Sequence, residues 1–356
     1  MGSFPFPQDR KSANCTYPTD ISHLKIQTAY QSWMAAMVTS SGAPAGALRV
    51  QDPMTANQTS SEAMGYGMLI AVYMSDKKTF DSFWAYVQAH MANGLMSWQV
   101  SSGGTSSGTQ VSSATDADQD MAWALIMADK QWPGGSYLGA AKSILTSIKS
   151  QEVASSNELK DGNFANAPST YIDYAAPDYY KVFASVSGDS SWNAVYTAEY
   201  TNLIGAQNQT SGLIPDQVGG STFGFDACRA PWRVGMDYCW SGSGSAKTFL
   251  TPMVNFFVQY ANQTLGPKSI KIPITPLSGS AAGQYVSGAI TGPAAVAAMM
   301  SASNQSFVDS SWTYLYSVVI NATSGQANDN YFSSSVGLIS MLALSGNFID
   351  YTNPPQ

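Results

Sequence analysis

Charged side chains are scarce in this chain of 356 residues, and histidine and glutamate are almost absent. Only 11% of the residues are charged, against about a quarter in an average soluble domain. The two histidines, His23 and His90, are too few for a zinc site with three histidine ligands, and a Ser-His-Asp triad would have to use one of them. The 23 acidic residues comprise 19 Asp and four Glu, so the composition supplies carboxylate chemistry best.

Basic residues and long apolar runs are also few. The chain has 16 Lys and Arg, a net charge of −7 and no basic stripe, so we expect no nucleic-acid partner. Residues 67–74 are among the longest apolar runs, well short of the roughly 18 residues that a membrane span needs, so we expect no membrane partner.

The first five residues lack the charged and apolar regions of a signal peptide, so we expect that any such peptide was removed or never existed. Six N-x-Ser/Thr sequons are weak support for a secretory route, and we expect a secreted or periplasmic protein. Three cysteines cannot form a disulfide framework. Cys228 and Cys239 would lie about 16 Å apart on one helix, beyond disulfide reach, so we expect buried thiols at these two positions.

Apolar residues recur with a helical period along most of the chain, and the alternating runs typical of strands are sparse. Pro231 and Pro293 are expected to kink two helices or to mark their first turns. Breaks at Gly, Ser, Pro and Asn separate twelve predicted helices: 24–40, 61–75, 77–91, 115–132, 135–153, 173–188, 189–207, 226–242, 245–263, 284–301, 306–323 and 331–346.

The even-numbered segments are more apolar than the odd-numbered ones. Segments 61–75 and 331–346 consist almost wholly of apolar or small residues, which indicates burial, whereas 77–91 and 135–153 carry one apolar stripe. Alternating inner and outer helices predict an all-α fold, an (α/α)6 barrel of six helical hairpins. Only the Ser/Gly/Thr-rich loop 101–113 interrupts the pattern, so we expect residues 1–356 to form a single domain.

Glu62 opens the second segment, in the run SEAMGYGM. A carboxylate at a helix start with a Ser cap needs no function. The apolar surroundings, however, would raise the pKa of this carboxyl and keep it protonated, as a general acid requires. Glu152, Glu158 and Glu199 fall on outer helices or loops, so Glu62 is the candidate acid.

Three alternating aspartates, Asp116, Asp118 and Asp120, crowd the start of the fourth segment. They can be an acid-rich helix start. An EF-hand loop is excluded because Met121 and Met127 stand where its Gly and Glu are required. We therefore expect neither a metal nor another cofactor. If Asp116 lies near the acid, its charge raises the pKa of that acid.

Asp226 lies between aromatic residues, three positions before Arg229, at the start of the eighth segment. One interpretation is an Asp–Arg pair on one helix face. The functional interpretation is a carboxylate that Arg229 keeps ionised, as a general base requires. Parallel inner helices would bring this end of the segment close to Glu62 and Asp116. A carboxylate pair with aromatic side chains near it is typical of glycoside hydrolysis.

These motifs are similar to those of glycoside hydrolase family 8, and the similarity covers about residues 20 to 350. ATDADQDMAWALIMADKQW, residues 114–132, resembles the signature stretch of the family along its whole length. SEAMGYGM resembles the segment with the general acid, and FDACRAPWR resembles the stretch with the general base in the branch that uses Asp. Residues 174–183 and 331–348 resemble later landmarks of the family.

The resemblance implies an (α/α)6 barrel that hydrolyses a polysaccharide internally, with inversion. It implies that Glu62 is the acid, that Asp226 is the base and that Asp116 contacts the sugar at the central subsite. Two departures bear on substrate preference: Ala63 replaces a usual Gly, and Phe225 replaces a Tyr that some members have. The resemblance also implies a cleft lined by Trp98, Tyr174, Arg229, Tyr331 and Phe225.

We therefore predict an endo-β-1,4-glucanase that acts on cellulose-like or mixed-linkage β-glucan, as a monomer. An endo-β-1,4-xylanase or a chitosanase of the same family is the alternative. The residues that line the sugar-binding pockets distinguish a missing hydroxymethyl group or an added amine, and the sequence does not identify those contacts. A non-catalytic glycan-binding barrel is a more distant alternative, and it predicts a lost acid or base.

Overall fold

A computed structural model describes residues 2–106, 112–264, 272–279, 287–320 and 331–355. The described residues are mostly helical. Their α-helices are α1 (His23–Met37), α2 (Ser61–Tyr73), α3 (Lys77–Ala89), α4 (Thr115–Gln131), α5 (Tyr137–Gln151), α6 (Pro177–Ser187), α7 (Trp192–Gly205), α8 (Ala230–Ser241), α9 (Gly244–Thr264), α10 (Gly288–Ala298), α11 (Gln305–Ile320) and α12 (Tyr331–Leu344).

Strands are confined to short antiparallel pairs in the loops of the described chain. Thr59–Ser60 pairs with Gln99–Val100 at the start of α2 and holds the loop before α4 next to it. Three short 3-10 helices are Ile172–Tyr174, Ala227–Arg229 and Ala302–Asn304. The strand pairs are β1 (Val38–Thr39) with β2 (Arg49–Val50), β3 (Thr59–Ser60) with β6 (Gln99–Val100), β4 (Met91–Ala92) with β5 (Leu95–Met96), and β7 (Thr222–Phe223) with β8 (Thr275–Pro276).

The even-numbered helices form the inner ring of a barrel. In α2, α4, α8, α10 and α12 almost every residue is buried, whereas α3 and α5 bury one face each. The inner helix α2 packs against α4 and α12, and α10 packs against α8 and α12. Because helices that are apolar all round must be covered on every side, the outer helices enclose this ring. The predicted (α/α)6 barrel is confirmed.

Polar and aromatic contacts join α6 to the inner ring. Trp123 of α4 stacks on Tyr179 of α6 with ring centroids 4.3 Å apart. The Tyr179 hydroxyl donates to Asp120 at 3.1 Å, and Arg233 of α8 donates to both oxygens of the same carboxylate at 2.8 and 2.9 Å. These fully buried partners connect three inner helices at one level of the barrel.

Most helix boundaries agree closely with the predicted segments, but the sixth and the eighth helix begin four residues later than predicted, at Pro177 and at Ala230, each with a proline in its first turn. The sixth helix begins at Pro177 rather than at residue 173, because Ile172–Tyr174 form a 3-10 turn before it. Pro231 lies in the first turn of α8, whereas Pro293 lies inside α10. Residues 107–111, 284–286 and 321–323 of the predicted loop and helices lie outside the described residues.

The expectation of buried thiols at Cys228 and Cys239 is wrong for Cys239. Cys239 forms a disulfide with Cys15, 224 residues away in sequence, with a Cα–Cα distance of 5.3 Å, and Cys228 is free and buried. Spacing along one helix excluded only a bond between Cys228 and Cys239. The partner of Cys239 comes from the N-terminal segment, which the helical pattern left unplaced.

The N-terminal segment crosses the C-terminal ends of several inner helices. Backbone N–H groups of Ser3 and Arg10 donate to carbonyls of Gln131 in α4 (2.7 Å) and Gly346 after α12 (2.9 Å). The disulfide fixes the same segment to the end of α8. These contacts lie at the end of the barrel opposite the helix N-termini. Among the helices that the structure describes, none is both long and apolar enough to span a bilayer.

Candidate active site

Glu62 lies in the first turn of α2, which a serine cap begins. The Ser60 hydroxyl accepts a hydrogen bond from the Ala63 N–H at 3.0 Å, so the helix starts at a fixed residue. The rest of α2 is buried, and the Glu62 side chain is 17% exposed. Glu62 thus lies at the end of a rigid inner helix, in contact with solvent on one side only.

Arg229 is the common partner of four carboxylates. Its Nη1 donates to Glu62 Oε2 and to Asp116 Oδ2 (2.8 Å), and its Nε donates to Asp173 Oδ2 (2.5 Å). Its Nη2 lies 3.4 Å from Asp226 Oδ1. The guanidinium side chain is only 4% exposed. One buried positive charge cannot neutralise four ionised carboxylates. Ionisation of one carboxyl therefore makes ionisation of its neighbours less favourable.

The environment of Glu62 suits a carboxyl that carries a proton near neutral pH. Burial raises the pKa of Glu62 to about 7, although the Arg229 charge opposes this shift. Asp116 raises the pKa further by like-charge repulsion, as the sequence predicts. The Tyr331 hydroxyl donates to Glu62 Oε1 at 2.7 Å and stabilises the ionised form. Burial therefore outweighs the two groups that favour ionisation.

Asp226 is in a more open environment than Glu62. Its side chain is 41% exposed, directly before the 3-10 helix Ala227–Arg229. Burial raises the pKa of Asp226 above its ordinary value, and the Arg229 charge acts in the opposite direction. The sequence predicts the direction of the Arg229 effect, but the burial effect is larger. A somewhat raised pKa makes this carboxylate a stronger base once it is ionised.

Asp216 holds the loop that carries Asp226. Its Oδ1 accepts three backbone N–H groups, from Gly224 (2.9 Å), Asp226 (3.2 Å) and Ala227 (2.9 Å). Charge-assisted bonds to these three amides restrict the backbone on both sides of Asp226. Asp216 gives no signal in the sequence, because it lies in a loop ten residues before Asp226 and no helical pattern marks it.

Asp116 and Asp173 are the deepest carboxylates of the site. Asp116 lies in the first turn of α4 and is 3% exposed, and Asp173 lies in the 3-10 turn before α6 and is fully buried. Burial raises the pKa of Asp173 to about 7, with Arg229 opposing. The sequence analysis missed Asp173, although its position at the start of an even-numbered segment is the signal that marked the other three acids.

The predicted aromatic residues lie at the same end of the barrel. Tyr174 stacks on Tyr171 with centroids 5.1 Å apart, and its ring lies 5.5 Å from the Arg229 guanidinium carbon. Phe225 meets Phe332 edge to face at 6.2 Å. The Trp98 carbonyl accepts a hydrogen bond from the backbone N–H of Ser61, the first residue of α2, at 2.9 Å. Trp98 is 42% exposed. Exposed or half-buried rings therefore surround the carboxylates.

All eight residues that the sequence analysis assigns to the site lie at the end of the barrel that holds the N-termini of the inner helices: Glu62, Trp98, Asp116, Tyr174, Phe225, Asp226, Arg229 and Tyr331. In the parts of the chain that the structure describes, no group of three or more His, Cys, Asp or Glu side chains is arranged to hold a metal ion. Arg229 supplies the positive charge that faces these carboxylates.

Comparisons with known proteins agree with this geometry. The family model "Glycosyl hydrolases family 8" matches residues 4–346. The chain is 32% identical to Endoglucanase C of Ruminiclostridium cellulolyticum, over 97% of this chain and 77% of the relative. It is 31% identical to a Beta-glucanase of Niallia circulans, over 98% and 91%. The solved apo structure of the Beta-1,3-1,4-glucanase from Paenibacillus sp. X4 superposes with a TM-score of 0.86 at 28% identity, over 98% of this chain and 99% of that one. The chain belongs to glycosyl hydrolase family 8, and it is a glycoside hydrolase.

Proposed function

We propose that the protein is an endo-β-1,4-glucanase that cleaves cellulose-like or mixed-linkage β-glucan with inversion. The observation that carries the proposal is the contact of Glu62 and Asp226 with different nitrogens of one guanidinium. The two carboxyls also differ in environment, with side chains 17% and 41% exposed. Relatives named endoglucanase and beta-glucanase support the choice of substrate.

In this mechanism the two carboxyls act on opposite faces of one sugar ring. Protonated Glu62 gives its proton to the glycosidic oxygen as the bond from the anomeric carbon to that oxygen breaks. Ionised Asp226 accepts a proton from a water molecule, whose oxygen forms the new bond to the anomeric carbon from the other face. Proton exchange with solvent then returns both carboxyls to their initial states.

The remaining site residues bind the sugar chain. Asp116 contacts the sugar at the central subsite and, with Arg229, sets the charge around Glu62. Trp98, Tyr174 and Phe225 present ring faces or edges to sugar rings, since aromatic side chains combine apolar surface with a defined orientation. The Tyr331 hydroxyl lies 2.7 Å from Glu62 Oε1 and orients the acid.

The stereochemistry of the product tests the mechanism. We expect proton NMR during early hydrolysis of a β-glucan to show the α-anomer first, because a single displacement inverts the anomeric carbon. Initial release of the β-anomer would require a covalent intermediate and would contradict the assignment of Asp226 as a base. A reducing-sugar panel on carboxymethylcellulose, lichenan, xylan and chitosan tests the substrate in parallel.

Replacement of the acid separates catalysis from binding. Glu62→Gln keeps the shape of the side chain but cannot supply the proton, so turnover should fall by about 10²- to 10⁴-fold while oligosaccharide binding persists. Glu158→Gln is the matched control, because Glu158 lies on the loop before α6, outside the proposed catalytic site. Its carboxylate accepts a hydrogen bond from Asn202 Nδ2 at 3.0 Å. Retained activity in Glu62→Gln would remove Glu62 from its role.

The same panel decides between the glucanase and its alternatives. Preferential cleavage of xylan or chitosan would identify an endo-β-1,4-xylanase or a chitosanase, with the same acid and base. The non-catalytic glycan-binding barrel predicts a lost acid or base. All three carboxylates are present and in contact with Arg229, and the chain belongs to a hydrolase family. That alternative is therefore not retained.

The compartment and the oligomeric state are parts of the same proposal. The Cys15–Cys239 disulfide supports a secreted or periplasmic protein, because disulfides persist in oxidising compartments. We propose that the protein acts as a monomer on its polymeric substrate. Light scattering after size exclusion should then give a mass near the 37.8 kDa of one chain.

A further inference from the structure

Asp118 and Glu152 form a buried pair of carboxyl groups behind the helix turn that carries Asp116. Asp118 belongs to α4 and is 1% exposed, and Glu152 follows the last residue of α5 and is fully buried. The two side chains are within hydrogen-bond reach of each other. The position of Glu152 on an outer helix agrees with the sequence pattern, but its side chain turns inward.

The two carboxyls face each other through one oxygen each, and these two oxygens need a proton between them. Among the described residues, Asp118 Oδ2 and Glu152 Oε2 are buried and accept no well-formed hydrogen bond from another residue, although the Thr115 hydroxyl also lies close to Glu152. Two ionised carboxylates can only accept hydrogen bonds, so they would repel each other at this contact. A single proton on the pair satisfies both oxygens at once, which is the arrangement that close buried carboxyls adopt.

The other oxygen of each carboxyl holds a loop next to the active site. Asp118 Oδ1 accepts from the Met96 N–H on strand β5 at 3.3 Å. Glu152 Oε1 accepts from the Ser113 hydroxyl at 2.5 Å. Ser113 in turn exchanges hydrogen bonds with Asn163, whose side chain accepts from the Ser113 N–H at 3.1 Å and whose N–H donates to the Ser113 hydroxyl at 3.0 Å.

These contacts hold both sides of the start of α4. The helix begins after Ala114, which provides no side-chain cap. Ser113 lies just before this start, and Asp118 lies one turn inside it, so the pair replaces a cap in fixing the backbone around Asp116. Trp98 is held as well, because it lies two residues after Met96 and its N–H donates to the Ser112 carbonyl at 2.7 Å.

We propose that Asp118 and Glu152 are positioning residues that share one proton and thereby hold Asp116 and Trp98 for glucan binding, so that loss of the proton at alkaline pH loosens the site. The proposal rests on the proposed function, because the consequence concerns the glucan cleft. Neither residue touches the sugar. Both act through the start of α4 and the loop that carries Trp98.

Charges around the pair place the proton on Asp118. Burial raises the pKa of Asp118 well above its ordinary value, and the Glu152 charge adds to this effect. Burial raises the pKa of Glu152 to about 7, while its bonds from Ser113 and Asp118 oppose the shift. Asp116, on the same helix as Asp118, raises both pKa values and supplies no compensating positive charge.

Charged groups on the neighbouring elements are engaged elsewhere. The Lys160 ammonium donates to the Gln151 carbonyl (2.9 Å), and the Asp161 carboxylate accepts from the Thr170 N–H (3.0 Å). Glu62 of α2 and Asp173 before α6 contact Arg229. The His90 ring, before β4, lies 3.4 Å from the Ser106 hydroxyl. The Lys149 ammonium of α5 lies over the Trp192 ring.

Binding measured in an inactive background tests the proposal without interference from the acid. We expect the affinity of the Glu62→Gln variant for a mixed-linkage β-glucan oligosaccharide, measured by calorimetry, to fall by about 5- to 150-fold between pH 6 and pH 9.5. Adding Glu152→Gln should make the affinity less dependent on pH over this range, because the Gln amide donates to the Asp118 carboxylate without a shared proton, whereas Asp173 still titrates in the site. Equal pH dependence in the single and double variants would overturn the proposal.

A matched control and a conservative rescue exclude a general loss of structure. Glu199 is another buried glutamate of an outer helix, and its Oε1 accepts from the Leu159 N–H at 2.7 Å. Adding Glu199→Gln to the Glu62→Gln variant should leave its pH dependence unchanged. Glu152→Ala should weaken binding at pH 6, and Glu152→Gln should restore it. Failure of Glu152→Gln to restore binding at pH 6 would contradict a positioning role.

Unfolding measurements separate this proposal from the proposed function. Because the folded pair holds a proton above the ordinary pKa of a free carboxyl, the free energy of unfolding should fall as pH rises through the titration of the pair. Other buried carboxyls with raised pKa values, Glu62 and Asp173 among them, contribute to the same fall, so Glu152→Gln, or Asp118→Asn if that variant folds better, should make it less steep. If no glucan binds at any pH, the proposed substrate is wrong. A fall as steep in Glu152→Gln and Asp118→Asn as in the wild type would overturn the shared proton.

Discussion

One nitrogen of Arg229, Nη1, donates to both Glu62 and Asp116, the latter at 2.8 Å. The proton affinity of Glu62 therefore depends on how the positive charge at this nitrogen is shared between two carboxylates. A change at Asp116 alters the charge near the acid and also frees the guanidinium to bind Glu62 more strongly. The two residues lie on different inner helices, so the pKa of the acid depends on the packing of the barrel.

The pH dependence of kcat/KM should report the raised pKa of Glu62. Protonated Glu62 is the active form, so kcat/KM should fall with a slope of −1 in its logarithm as pH rises above about 7. Asp116→Asn removes a charge that raises this pKa and should move the alkaline limb to lower pH. Tyr331→Phe removes a donor to the ionised form and should move the limb to higher pH.

The quantity to compare is the pH at which kcat/KM begins to decline, since both substitutions also change the maximum value of kcat/KM. Initial rates on a soluble β-glucan between pH 4 and pH 10 give this pH for each variant. Shifts of both variants in the same direction would show that Glu62 is not the group that titrates.

Removal of the Arg229 guanidinium should destabilise the fold and inactivate the enzyme. Arg229→Met leaves buried carboxylates without a partner, so the free energy of unfolding should fall by about 3–5 kcal/mol. Arg229→Lys keeps the charge but cannot contact four carboxylates with a planar fork. Urea unfolding and kcat/KM measure the two effects.

Arg233→Lys is the matched control for Arg229→Lys. Arg233 lies one turn further along α8, is fully buried and binds both oxygens of Asp120. Its replacement should also destabilise the protein, but the pH at which kcat/KM declines should stay near that of the wild type. A shift of this limb equal to that of Arg229→Lys would show a general effect of lost buried charge.

Loss of Asp216 should reduce turnover through Asp226. Asp216→Ala removes the acceptor of three backbone N–H groups, so the base can move relative to the water that it activates. A displacement of about 1 Å at a reacting group can reduce kcat by about 10²-fold, and we expect a loss of this order with little change in KM. Asp216→Asn keeps one acceptor oxygen and should retain more activity. Equal kcat in wild type and Asp216→Ala would exclude a positioning role.

Removal of the disulfide should affect stability but not catalysis. Cys15→Ser with Cys239→Ser frees the N-terminal segment from the end of α8, and the free energy of unfolding should fall by about 2–4 kcal/mol. Activity at 25 °C should be unchanged, because the bond lies at the end of the barrel opposite Glu62. Thermal unfolding and initial rates measure the two properties. A proportional loss of kcat in the folded variant would show that the two ends of the barrel are coupled.

Local patterns in the sequence were sufficient for the fold and for bringing the proposed acid and base to one end of the barrel. Apolar periodicity separated buried from half-buried helices, because a helix that packs on all sides cannot have a polar face. Glu62, Asp116 and Asp226 stood out because each opens an apolar segment. Their side chains then had to meet, since parallel inner helices bring their N-termini to one end of the barrel.

Only the tertiary structure decided which distant residues pair. Glu152 gave no signal as a site residue, and the position of Asp173 at the start of an even-numbered segment did not reveal its partner. The partners come from other parts of the chain: Asp118 for Glu152 and Arg229 for Asp173. The same holds for Cys15, whose partner is 224 residues away in sequence. Helical periodicity is a property of neighbouring residues, whereas the pairing of charges and thiols depends on the distances that chain packing sets. Those distances also set the degree of burial, and with it the raised pKa of Glu62.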